Sequence, residues 1–202
     1  MPNTAWLDAI EIVGGHPAVD FVNTVHARLV PTTHDYLETP GHVVGWFFRQ
    51  GLVDAEAARR LVRLPAGQGQ RLLSEARIFR KTLDDLLQDH LDGNTDSAAL
   101  ARFNHALKRL NGWRELSSAQ DDFAWTYRID PAHPESLLAP LAFGAADLLV
   151  SPELERLKMC PLEGCGWLFL DYSRNGSRHW CSMKTCGNVA KLRRYRARQK
   201  DE

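Results

Sequence analysis

Apolar residues recur at three- and four-residue intervals along most of residues 1–155. The clearest case is 70–91, where Leu72, Leu73, Ala76, Phe79, Leu83, Leu86 and Leu87 share one face. That spacing predicts a long core-facing helix, which Gly67-Gln68-Gly69 precedes or interrupts. Shorter helices are predicted at 41–50 behind Thr39-Pro40, at 55–63 behind Asp54, and from Asp96 or Ser97 to Leu110 with Leu100, Phe103, Leu107 and Leu110 inward. A last body helix is expected from about residue 135 to 149, and Ser151-Pro152 opens one more turn. Alternation marks two strands, 113–117 and 123–129, joined as a hairpin. Near the start, 6–13 reads as a strand or as the approach to a first helix, and 31–39 reads as a loop.

That first helix is expected from Ala18 to about Arg28, with Val19, Phe21, Val22 and Val25 as its apolar face. His16, Asp20, Asn23 and Thr24 form a polar stripe along its other side. Such a stripe suits a small-ligand pocket, with His16, Asp20 and Asn23 as its polar groups. The alternative is that Asp20 and Asn23 satisfy backbone groups inside the fold.

All four cysteines lie in one segment, as Cys160-x4-Cys165 and Cys181-x4-Cys186 with fifteen residues between the pairs. Two close pairs on either side of a loop bring four thiolates around one tetrahedral zinc. A site closed by four sulfurs has no open position, so the metal is structural. Disulfides or redox cysteines are the competing reading. The first residues carry no secretory pattern, and a reducing cytosol disfavours disulfides. His179, two residues before Cys181, is an alternative fourth ligand. Trp167 to Leu170 would form the module's first strand, and Arg178-His179-Trp180 its return.

Residues 191–200 follow, with six Lys or Arg in ten positions and no Gly or Pro. As a helix, Lys191, Arg194 and Arg198 share one face and Arg193 and Arg196 a neighbouring one. Leu192 and Tyr195 are spaced to pin the helix to the metal unit. Arg174, Arg178 and Lys184 extend the positive surface. A metal-stapled module presenting a basic helix suits nucleic-acid phosphates or a major groove. A solvated basic tail is the plain alternative.

The run Trp180-Cys181-Ser182-Met183-Lys184-Thr185-Cys186-Gly187-Asn188 before a basic helix resembles the CGNR zinc-finger module of bacterial stress-induced transcription regulators. Cys165 to Asp171 and Ser173-Arg174-Asn175 match the same pattern. The fourth residue of the Cys-Gly-Asn-Arg tetrad is Val189 here. Gly15-His16-Pro17-Ala18-Val19-Asp20-Phe21-Val22-Asn23-Thr24 resembles the opening of the ABATE domain that precedes the module in that family. The resemblance implies a DNA-binding regulator.

The 202 residues carry zero net charge, but unevenly. Residues 156–200 carry a net +9 and residues 1–155 a net −7. An acidic body with a basic module points to nucleic-acid contact. No apolar run approaches the length that spans a bilayer, and no phosphate-cradling loop or nucleophile elbow is present. The expected fold is mainly α with a small β-hairpin. An α-helical domain over 1–155 precedes a zinc-ribbon or treble-clef-like module over 156–202 that ends in the basic helix. The expected function is a zinc-dependent DNA-binding transcription regulator, cytoplasmic and nucleoid-associated, whose first domain senses a small effector or partner and supports a homodimer. An RNA- or ribosome-associated zinc protein is the alternative. An enzyme is not expected, because one polar stripe lacks a nucleophile, a base and an oxyanion site.

Overall fold

Capping chemistry sets most of the helix boundaries. In the computed structural model, which describes residues 10–26, 34–95, 97–119 and 122–199, α1 (Pro17–Val22) starts behind His16, whose Nδ1 accepts from the Ala18 N–H. β1 (Val25–His26) pairs antiparallel with β2 (His34–Asp35). Thr39 caps α2 (Pro40–Arg49) and Asp54 caps α3 (Ala55–Leu61) through side-chain oxygens. α4 (Ala66–Leu91) starts after Pro65 without a side-chain cap, and Ser97 caps α5 (Ala98–Leu110). β3 (Arg114–Ala119) and β4 (Asp122–Tyr127) form a hairpin with Leu116 opposite Trp125. A 3-10 turn, Pro134–Leu138, runs into α6 (Ala139–Leu149), and a second, Pro152–Arg156, leads to β5 (Leu157–Met159). β5 pairs antiparallel with β6 (Leu168–Leu170), and α7 (Asn188–Arg198) follows. The chain is therefore mostly helical with small antiparallel hairpins.

The described residues fall into two compact units, one carrying Tyr36–Ser151 and the other Ile12–Asp35 with Pro152–Glu202. In the first, α4 is the axis. Its Leu72, Leu83 and Leu87 are fully buried, together with Trp46 and Phe47 of α2 and Leu61 of α3. Phe79 and Phe103 stack at 6.0 Å and join α4 to α5. Leu100 and Leu107 of α5 are only half-buried, and Ala99 is buried instead. The long helix starts at Ala66, so it takes in Gly67 and Gly69 rather than following them. Packing of an apolar face offsets the weak helix propensity of two glycines in its first turns.

The second unit joins distant parts of the chain. α1 ends at Val22 instead of continuing to Arg28, of which residues 27–28 lie outside the described residues. The Thr24 hydroxyl donates to the Phe21 carbonyl at 2.7 Å, a local bond that competes with helix continuation. Residues 6–9 of the expected first segment and 31–33 of the expected loop also lie outside the described residues. Asn23, fully buried, clamps β6 from both sides: its amide donates to the Leu168 carbonyl at 2.8 Å, and its Oδ1 accepts from the Leu168 N–H at 2.9 Å. The Trp167 indole donates to the Val25 carbonyl, and the Leu170 N–H to that of Gly14, both at 2.8 Å. The first strand of the cysteine module pairs with β5 upstream, and Arg178-His179-Trp180 forms no returning strand.

Removing the Asn23 amide strands a buried N–H and a buried C=O. Asn23→Ala is expected to destabilise this unit by about 2–4 kcal/mol. Hydrogen exchange at Leu168 and Leu170 should accelerate, and the amides of α4 should keep their protection. Unchanged exchange at Leu168 would show that the clamp contributes nothing.

Candidate metal centre and basic helix

The first cysteine pair sits at the tip of the β5–β6 hairpin. The Cys160 N–H donates to the Trp167 carbonyl at 2.8 Å, and the Cys165 N–H to that of Leu162 at 2.9 Å. Gly164 and Gly166 hold φ of 85° and 69°, so the chain turns on both sides of Cys165 through backbone that side chains disfavour. The second pair comes from Cys181, at a bend, and from a π-helical turn, Met183–Gly187, that follows extended Ser182 and runs straight into α7. Inside that turn a Cβ on Gly187 would stand 2.7 Å from the Met183 sulfur and 3.2 Å from the Trp180 ring, so a side chain there would require exposed Met183 to move.

All four sulfurs lie within 4.8 Å of one another and all four cysteines are buried. Sulfur separations are 3.7 Å for Cys165–Cys181, 3.4 Å for Cys181–Cys186 and 3.6 Å for Cys165–Cys186. A tetrahedron with Zn–S bonds of about 2.3 Å has edges near ~3.8 Å. The donor set and spacing fit one structural zinc ion. Contact with Cys160 drives the Cys165 thiol up to about 12 and also raises that of Cys181, and burial raises that of Cys186. Four thiolates at this spacing need a dication to hold their charge. His179 is exposed and sets its ring edge-on to Trp180, outside a cluster already complete in cysteine.

A second, metal-free scaffold shapes the loop between the pairs. Asp171 is 1 % exposed and accepts from the Lys158 ammonium at 2.6 Å and from the Ser173 and Arg178 N–H groups at 2.9 Å. Burial pushes its carboxyl up, but Lys158 and Ser173 outweigh that and hold it well below the usual carboxylate range. A carboxyl depressed on folding contributes stability above its unfolded value near ~4, lost as pH falls through the lower folded value. Lys158 also donates to the Gly176 carbonyl at 2.6 Å.

Of the eight basic residues expected on a nucleic-acid surface, Arg178 is turned inward. Its guanidinium donates to the carbonyls of Val13 (2.8 Å), Trp180 (3.2 Å), Leu170 (3.3 Å) and Cys181, and lies 4.3 Å from the Phe169 ring centre. A planar fork meets several carbonyls at once, which suits arginine to tying a metal loop to neighbouring backbone. Arg174, Lys184, Lys191, Arg193, Arg194, Arg196 and Arg198 are exposed, and Arg193 pairs with exposed Glu163 at 3.1 Å. Leu192 and Tyr195 do not pin the helix: they are 48 % and 58 % exposed, and Ala190 is the buried residue of α7. Asn188 donates back to the Lys184 carbonyl at 3.0 Å, and Val189 is exposed beside it.

The three polar residues suggested for a ligand pocket are engaged with backbone. Asp20, 3 % exposed, accepts from the Gly14 and Val13 N–H groups at 2.7 and 3.0 Å, Asn23 clamps β6, and His16 caps α1. An inward stripe hydrogen-bonded to main chain is a framework, because each of its buried acceptors already has donors. The role of Lys158 is one the sequence reading missed: it carries no motif of its own, and the only local signal for the pair is Asp171, an acidic residue directly after an apolar strand.

Zinc content should be one per chain, measured with a thiol-reactive reagent and a colorimetric chelator. Removing it is expected to unfold the cysteine unit, and affinity should fall as pH drops, because each raised thiol must lose its proton to bind. A chelated protein with unchanged hydrogen exchange in β5, β6 and α7 would contradict this. Arg178→Ala is expected to speed zinc release at least tenfold, a loss that Arg194→Ala does not reproduce.

Residues 15–152 match the ABATE family model, described as "Putative stress-induced transcription regulator", and residues 156–199 match the CGNR zinc finger. No curated protein matches the chain. Among the described residues no helix is long and apolar enough to cross a membrane. With its four cysteines gathered for zinc and both segments matched over most of its length, the chain belongs to the ABATE family and carries a CGNR zinc finger.

Proposed function

We propose that the protein is a zinc-dependent DNA-binding transcription regulator in which α7 enters the major groove and the Tyr36–Ser151 unit senses a small effector. The observation that carries the reading is the exposure of α7. A helix of 11 residues, about 16 Å long, buries only Ala190 and leaves five cationic side chains in solvent. Cys186, in the turn that starts it, ties the helix to the metal. Leu192 and Tyr195 lie on the side opposite Ala190, with Lys191 and Arg198 flanking on one side and Arg196 on the other. An apolar centre with a basic rim matches a groove floor of base edges and methyl groups between two phosphate rows. One such helix binds weakly, so two copies acting together on one site are part of the proposal. The nucleoid would then be its place in the cell.

RNA is the second reading, favoured by the exposure of Tyr195, an aromatic side chain of the kind on which unpaired bases stack. Anisotropy with duplex DNA, single strands and structured RNA across a salt series separates the two. Duplex DNA is expected to win, with log affinity falling linearly against log salt by about 0.9 per phosphate contacted. Lys191→Ala and Arg198→Ala should each reduce that slope by about one contact, Arg193→Ala by less because Glu163 already shares its charge. Single-strand or RNA preference would transfer the function to the second reading, and zinc-loaded protein that ignores every nucleic acid would end both.

A further inference from the structure

α4 and α5 run antiparallel and are bridged twice by ion pairs. Glu75 meets Arg109 at 3.1 Å, and Asp85 meets Arg102 at 2.9 Å. The bridges stand ten residues apart on α4, about 15 Å of helix, and seven apart on α5, about 10 Å. Residues of both helices, with Glu135 and Leu138 from the turn ahead of α6, line a cavity of about 140 Å³. Its floor is Phe79, Thr82, Leu110 and Leu138, each 5 % exposed or less, with Ala106 on one wall and Ile78, 59 % exposed, at its lip.

We propose that this cavity is the effector site of the helical unit and takes one neutral single-ring or short branched-alkyl molecule. The proposal deepens the sensor half of the regulator reading. Three features fix the class of occupant. A cavity near 150 Å³ lined by apolar side chains is the size that accepts a benzene ring. Of the charged groups at its edge, Glu75 is paired with Arg109 and Arg102 with Asp85, while Glu135 lies 3.6 Å from His133, a residue charged only when protonated. A charged ligand would lose its hydration against the apolar floor of Phe79, Leu110 and Leu138. The bridges also close the groove at both ends, so a peptide or a helix has no continuous trough to lie in.

The test is an NMR titration of the zinc-loaded full chain with benzyl alcohol, benzoate and benzylamine, without nucleic acid. Benzyl alcohol is expected to give saturable shifts at Ile78, Ala106 and Leu110 with a Kd of roughly millimolar, the range a ligand of this size reaches. Benzoate and benzylamine should bind at least tenfold more weakly. Ala106→Trp, which fills the wall, should abolish the shifts. Ile78→Asp, at an exposed lip where folding is not at risk, should weaken them several-fold. Shifts that never saturate, that survive Ala106→Trp, or that are equal for the charged analogues overturn the proposal. The regulator reading is scored separately. A chain that binds the ring but no duplex keeps the site and loses the regulator. A chain that binds duplex but no ring loses only the site.

Discussion

Four buried sulfurs within 4.8 Å of one another are the constraint on which the cysteine unit rests. Protonated, they fill space with weak contacts. Ionised without a metal, they repel at a separation where the interior screens poorly. Only a dication makes the arrangement favourable. β5 and β6 contribute three residues each, and the loop from Asp171 to Cys181 has no regular structure. The metal therefore adds to a small apolar core of Val19, Phe21, Val22, Leu168, Phe169 and Leu170 in holding this unit.

What surrounds the metal is a polar framework in which charged groups hold main chain. Asp171 with Lys158 and Arg178 with four carbonyls both fold the loop between the cysteine pairs. Asp20 and Asn23 do the same from the other end of the chain. The family signature around α1 thus belongs physically with the zinc hairpin: Asn23 completes the hydrogen bonding of Leu168, and the Val25 carbonyl receives the Trp167 indole. Because the framework takes up the charges nearest the metal, the positive surface left for a partner is the loop around Arg174, Lys184 and α7.

The helical unit follows a different logic, that of an apolar face repeated every three or four residues. α4 meets this requirement over 26 residues, so its neighbours pack against it with ordinary caps and short loops. Beside the Phe79–Phe103 stack the packing of α4 and α5 leaves a cavity, with ion pairs at its edge. A well-packed helix pair has no reason to keep such a space, since each lining atom loses dispersion contacts.

By itself the sequence determined the helices of the body, the β3–β4 hairpin, the four metal ligands and the exposed basic helix. Each of these is written in local spacing: apolar residues at helical period, capping residues ahead of them, cysteines in close pairs, and cations without apolar neighbours. Tertiary structure alone decided which polar residues face inward. Arg178 looks like the other cations of its segment, and the approach of Val13, from a distant part of the chain, and of Leu170 adds carbonyls to those of its neighbours Trp180 and Cys181. For Asn23 and Asp20 the sequence left a ligand stripe and backbone satisfaction both open, and β6 and the turn at Gly14 supply the backbone partners. Leu192 and Tyr195 have the spacing of a packing face, yet among the described residues no surface covers them. Burial of a polar or apolar side chain depends on what stands opposite, and no spacing within one segment carries that information.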